Sequence, residues 1–120
     1  MKIIKLKFLL SFLLFGICHC LSAQTQSEMN NEAYKNYEKA DLEMNKVYKK
    51  LLNGLNKTEK EMLIKTQKDW LKFRDSNCEF EAEENEGGSI KPMVWAMCLE
   101  EKTKTRIKDL KASINSRNIK

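Results

Sequence analysis

From Ala33 onward, apolar residues recur at Ala33, Tyr37, Ala40, Met44, Val47, Leu51 and Leu55, at spacings of four, three, four, three, four and four. That rhythm keeps the side chains on one face of an α-helix and predicts a first helix through this segment. Asn53, Gly54 and Asn56 weaken it. Thr58-Glu59-Lys60-Glu61 then has the form of a capping box, with the Thr58 hydroxyl and the Glu61 carboxylate satisfying free amides at the start of a second helix. The second apolar face runs through Leu63, Thr66 or Gln67, Trp70, Phe73 or Arg74, Asn77 and Phe80. Gly87-Gly88 ends it, because glycine accepts the left-handed backbone angles of a helix stop. Ser89 and Pro92 are start signals for a third helix, whose stripe is Met93, Ala96, Met97, Leu99, Thr103, Ile107, Leu110 and Ile114. Residues 24–29 and the last few are expected to fray.

An antiparallel hairpin of the second and third helices about Gly88 brings together residues whose numbers sum to about 176. Cys78 and Cys98 meet that condition. The same register carries Trp70 toward Arg106, for a cation–π contact, and Arg74 toward Lys102 or Thr103. The expected fold is therefore all-α, a small three-helix domain with a disulfide-stapled antiparallel hairpin.

The N-terminus follows a different pattern. Lys2, Lys5 and Lys7 precede the apolar run Phe8–Ile17, and Leu21-Ser22-Ala23 precedes polar Gln24. A basic stretch, a short apolar core and a small residue describe a secretory signal peptide, residues 1–23, cleaved after Ala23. The run is shorter than the roughly 20 apolar residues of a spanning helix, so no membrane association is expected once the leader is removed. Ile17 before Cys18 and His19 before Cys20 do not fit lipoprotein processing. The expected location is periplasmic or secreted, with residues 24–120 as one domain.

Removing the leader changes the charge and the chemistry. The three leader lysines account for part of the 22 Lys+Arg; the 19 that remain face 17 Asp+Glu, a net charge of +2. No basic stripe of the kind that neutralises a phosphate backbone survives, which argues against nucleic acid. The two cysteines left, Cys78 and Cys98, are most simply one disulfide in an oxidising compartment. The single histidine, His19, leaves with the leader. Without histidine, free thiol or a nucleophile motif, the domain lacks the groups of an enzyme, and no cofactor or metal is implied. The acidic run Glu79, Glu81, Glu83, Glu84 and Glu86 does not follow a calcium-loop pattern. On a helix it spreads around the cylinder as a solvated face, with Lys102, Lys104 and Lys108 as partial neutralisers.

Between residues 66 and 110, the combination of Gln67, Trp70, Arg74, Asp75, Cys78, Gly87-Gly88-Ser89, Cys98-Leu99, Thr103, Arg106 and Leu110 forms a spaced pattern. In that pattern the chain resembles the LprI-like lysozyme-inhibitor domain family of small exported bacterial proteins. Residues 25–48 are similar to the family's opening, through Thr25-Gln26, Met29-Asn30, Ala33, Ala40-Asp41, Asn45 and Tyr48. Many relatives carry a further cysteine where Glu32 stands here, so the first helix is expected to be held by apolar packing alone.

The resemblance implies a protein-binding module that inhibits lysozyme. The alternative is a non-inhibitory structural or interaction protein of the cell envelope, using the face of the first helix. For an inhibitor, Gly87, Gly88, Ser89 and Lys91 are the candidate partner-binding residues. A turn pinned beside a disulfide is preorganised, and Ser89 and Lys91 offer a donor and a cation to the carboxyl groups of a lysozyme cleft. Trp70, Arg74, Asp75, Thr103 and Arg106 form a second cluster on the stapled helices, with structural pairing as its first role and a binding surface as the other. The small net positive charge provides no broad steering toward a basic lysozyme.

Overall fold

The computed structural model describes the backbone of residues 2–120 and the side chains of residues 25–120, so the side chains of the leader expected over residues 1–23 lie outside what is described. The elements are α1 (Lys2–Asn53), α2 (Lys57–Glu83) and α3 (Lys91–Ser116). The expected all-α hairpin fold is observed, and among the described residues there is no strand.

Directions follow from the contacts. Asn30 meets Ser89, Glu43 meets Lys111, and Gly54 lies under Ile119, so α1 and α3 run parallel. Against both, α2 is antiparallel: Asp41 meets Arg74 and Met44 meets Gln67 on α1, while Arg74 meets Thr103 and Gln67 meets Arg106 on α3. Cys78 and Cys98 are joined, with a Cα–Cα separation of 5.5 Å. The predicted register of the hairpin is observed to within a few residues.

The core has two characters. Near the α1–α2 turn, Met44, Leu51, Ile107, Leu110 and Ile114 are buried together, with Leu55, Leu63, Leu71 and Ile119 packed around them. Each large side chain removed from water there contributes roughly 1.5–3 kcal/mol. Near the α2–α3 turn, buried Ala33, Ala82 and Ala96 accompany Cys78 and Leu99, and these small side chains let the backbones approach.

Several boundaries differ from the sequence reading. The capping box of α2 is Asn56 with Glu59, not Thr58 with Glu61: the Asn56 side chain accepts from the Glu59 amide at 3.0 Å and the Glu59 carboxylate accepts from the Asn56 amide at 3.3 Å. Asparagine is at least as good a cap as threonine, and both pairs have the same spacing, so the earlier one starts the helix. Helix α2 ends at Glu83, before the Gly87-Gly88 pair; Gly87 adopts φ 75° within the turn that follows. Ser89 does not cap α3, whose N-cap is Ile90, although Pro92 stands in its first turn as expected. Residues 24–29, expected to fray, are helical and continuous with the rest of α1.

The buried face of α2 resolves the two ambiguities toward Gln67 and Arg74. Phe73, the alternative to Arg74, is 57% exposed, and Phe80, expected inside, is 76% exposed, because Cys78 and Ala82 take the inward positions and turn Phe80 to the far side. Met97 is likewise 54% exposed, while Ala96 and Leu99 face the core.

Candidate functional site

Arg74 sits at the centre of the bundle, its side chain only 6% exposed. Helix α2 aims it at the seam where α1 and α3 meet. Its Nε donates to Asp75 Oδ1 at 2.8 Å, and its Nη1 donates to Asp41 Oδ1 at 3.1 Å and to Thr103 Oγ1 at 3.3 Å. The guanidinium also lies over two rings, 5.4 Å from the Tyr37 centroid and 5.3 Å from that of Trp70. Burial opposes the charge, yet Asp75, Tyr37 and Asp41 more than offset it, and the Arg74 pKa is raised. At Tyr37, burial raises the phenol's pKa despite the neighbouring Arg74 cation.

One turn along, Arg106 lies over the other side of the same system, 5.7 Å from the Trp70 centroid, with Nε donating to Gln67 Oε1 at 3.0 Å. Gln67 Nε2 in turn faces Met44 Sδ at 3.6 Å. Burial lowers the Arg106 pKa, with Asp109 acting in the opposite sense. Trp70, Arg74, Asp75, Thr103 and Arg106 therefore do come together, as one network that joins all three helices. Arg74, at 6% side-chain exposure, and Thr103, at 0%, clamp the three helices from within, while Asp75, 59% exposed, leaves one edge of the network open to water.

The turn between α2 and α3 is a separate feature. Successive bonds fold it: the Asn85 amide to Ala82, Glu86 to Glu83 and Gly88 to Asn85, all near 3.0 Å. Gly87, Gly88 and Ser89 are exposed. Asn30 of α1 donates Nδ2 to the Ser89 carbonyl at 3.0 Å, tying the turn to the first helix. Lys91 is not free in solvent: its ammonium contacts Glu79 at 3.4 Å, Glu83 at 2.9 Å and Glu86. These carboxylates raise its pKa and keep it charged. The neutraliser of the acidic run is thus Lys91, whereas Lys104 pairs with Glu100 and Lys102 lies over the Phe73 ring.

The electrostatics of the surface make a pH prediction. Lys91 lowers the Glu86 pKa, Lys111 that of Glu43 and Lys65 that of Asp69. Each carboxylate's contribution is complete above its ordinary value of 3.8 to 4.5 and is lost as pH falls through the lowered folded value. Thermal stability should therefore be level from about pH 7 to about pH 5 and decline below about pH 4. In Lys91→Met the decline should shrink, since Glu86 no longer gains a partner; thermal unfolding followed against pH checks both.

Residues 19–110 match the family described as lysozyme inhibitor LprI. The chain belongs to that family. An LprI-family assignment spans the clamp, the disulfide and the turn in one match. The chain is also similar to an uncharacterised protein of Rhizobium meliloti (strain 1021), 34% identical over 110 residues, covering 81% of this chain and 79% of that one. No solved structure matches it. Among the described residues no helix is long and apolar enough to cross a membrane, and no three His, Cys, Asp or Glu residues are grouped to hold a metal ion.

Two parts of the site were missed in sequence. Asp41 and Tyr37 complete the Arg74 clamp from α1, yet the hairpin rule sets only α2 against α3 and leaves the register of α1 open. The Lys91 pairings, by contrast, obey that rule, since 91 with 83 or 86 also sums to about 176. The expectation that α1 is held by apolar packing alone is corrected as well: Asp41–Arg74, Glu43–Lys111 at 2.6 Å and Asn30–Ser89 add polar ties.

Proposed function

We propose that this protein is an exported inhibitor of lysozyme, acting as a folded binding module of residues 24–120 after cleavage of a leader at Ala23. The observation that carries the reading is the family match over residues 19–110. The contact assigned to lysozyme is the turn at Gly87, Gly88 and Ser89, with Ser89 as the exposed donor. Lys91, bound to Glu79, Glu83 and Glu86, holds the turn's base together. Three ties support such a role by keeping the turn in one shape: the disulfide, the Lys91 cluster and the Asn30 bond. A preordered loop loses less entropy on entering a cleft, and it offers no glycosidic bond to cut. The domain itself carries out no catalysis in this reading, and its place is the periplasm or the exterior.

The alternative, an envelope protein that binds a partner through an apolar stripe on the first helix, finds less support. Among the described residues, the large exposed apolar side chains of α1, Met29, Tyr34 and Leu42, stand five and eight positions apart and do not all share one face.

Ser89→Ala should weaken inhibition by about tenfold, as expected for a hydrogen bond to a charged group, and leave the melting temperature unchanged. Lys91→Ala should weaken it too while loosening the turn. Half-inhibitory concentrations from cell-wall clearing assays decide this; values equal to wild type in both variants would move the interface away from the turn.

A further inference from the structure

Helices α1 and α3, parallel and side by side, present a charged surface on the side away from α2. On α1 it carries Lys39, Glu43, Lys46 and Lys50, spaced four, three and four residues apart; on α3 it carries Glu100, Lys104, Lys108 and Lys111, spaced four, four and three. Those spacings keep each row on one side of its helix, opposite to Asp41 and Arg106, which face α2. Two observations set the rows together. Lys111 pairs with Glu43 across the helices at 2.6 Å, and Asn36, Lys39, Glu43, Glu100 and Lys104 line one shallow groove between them. All six lysines are exposed.

The small net charge of the domain conceals this face. Six lysines stand there against two carboxylates, and each carboxylate is already held by one of them, Glu43 by Lys111 and Glu100 by Lys104. Lys39, Lys46, Lys50 and Lys108 are in no ion pair among the described residues. Toward the α2–α3 turn the same surface turns acidic, with Glu28 and Glu32 outnumbering Lys35 on α1 and Glu101 beside Glu100 on α3. The positive area is therefore bounded, and it lies toward the α1–α2 turn.

We infer that this face docks on an anionic lipid surface, its lysines meeting the phosphates of the headgroups. Charge complementarity makes the partner an anion, and the layout makes it a plane. Six ammoniums spread over two parallel helices do not converge on one small ligand, and the groove between the rows carries Glu43 and Glu100, which repel a buried anion. Each row is about 16 Å long at the helical rise, and the two rows lie roughly 8–10 Å apart. A headgroup plane offers phosphates to both rows at one level. The rows hold no apolar residue, so the contact is electrostatic and peripheral, resting on the membrane without spanning it. It leaves α2 and the α2–α3 turn free, and so does not depend on the lysozyme reading.

The test uses protein expressed from the full chain and purified as the cell processes it, spun down with vesicles of phosphatidylcholine alone or of phosphatidylcholine mixed with phosphatidylglycerol. The expected result is co-sedimentation with the mixed vesicles only. It should fall as salt rises, since the screening length shrinks from about 10 Å at 0.1 M to about 3 Å at 1 M. A lysine close to an anionic surface raises partitioning about fivefold, so Lys46→Gln combined with Lys108→Gln should weaken it by roughly 25-fold. Lys68→Gln combined with Lys72→Gln removes the same charge from exposed positions of α2, away from the lipid, and should change it by less than about twofold. Melting temperatures equal to wild type show that both double variants are folded. No sedimentation with the mixed vesicles, equal sedimentation with the neutral ones, equal losses in the two double variants, or binding to a short DNA duplex but not to vesicles overturns the inference.

Discussion

Replacing Cys78 and Cys98 together with alanine should lower stability by about 3 kcal/mol, the chain-entropy value for a cross-link of this span. The bond joins residues 20 apart in sequence. For a domain of about this size that corresponds to a fall in melting temperature of roughly 12–24 °C. The loss has a native-state part as well, because Cys78 is fully buried against a small-residue seam that includes Ala82 and Ala96, each at 0% exposure. Alanine leaves two sulfur-sized gaps there, and the helices have few large side chains nearby to fill them. The effect should be concentrated at the turn end of the bundle, since the Met44, Leu51, Leu110 cluster lies at the other end. Thermal unfolding of the double variant, compared with wild type before and after reduction in denaturant, measures it. A change of only a degree or two would mean that the hairpin is set by its side-chain packing and that the bond is incidental.

Arg74→Ala should cost about 2–4 kcal/mol, somewhat below the usual figure for breaking a fully buried pair, because its partners keep some access to water. Asp41 is 32% exposed and Asp75 59% exposed, so both can rehydrate. Thr103, at 0% exposure, cannot, and its hydroxyl would lose its Arg74 donor while Tyr37 and Trp70 lose the group between them. Arg74→Met should cost roughly half as much, since it refills the space without the charge. Arg74→Lys is not a conservative change here: one ammonium cannot reproduce a fork that reaches Asp75, Asp41 and Thr103 at once. Denaturant unfolding of the three variants, with Asp41→Asn combined with Arg74→Met in a double-mutant cycle, separates the charge pairing from the packing. Equal losses for Arg74→Ala and Arg74→Met would show that charge rather than volume dominates.

Much of the fold was legible because it rests on periodicity. The stripe of α1 from Ala33 to Leu55 and most of the α3 stripe are buried or half-buried as read. The symmetric placement of Cys78 and Cys98 about Gly88 set the hairpin register, and Trp70 with Arg106 and Arg74 with Thr103 followed from it. What was hard to read is the middle of α2, where polarity and burial part company. Ranking by hydropathy puts Phe73 and Phe80 inside, yet the helix turns Arg74, Cys78 and Ala82 inward, because two carboxylates, a hydroxyl and two rings compensate the guanidinium charge there. The α1 side of that arrangement, Asp41 and Tyr37, has no local signal in the sequence beyond helical phase. In the turn, Lys91 reads as a free cation, although the hairpin register already sets Glu83 and Glu86 beside it, with Glu79 one turn further along α2.

The most direct test of the functional account is the rate at which lysozyme clears a suspension of bacterial cell walls, measured as purified protein is added in increasing amounts to enzymes of several classes. The account predicts dose-dependent, saturable slowing for at least one class, relieved by excess enzyme. Unslowed clearing by every class, with the protein shown to be folded and its disulfide intact, would contradict it.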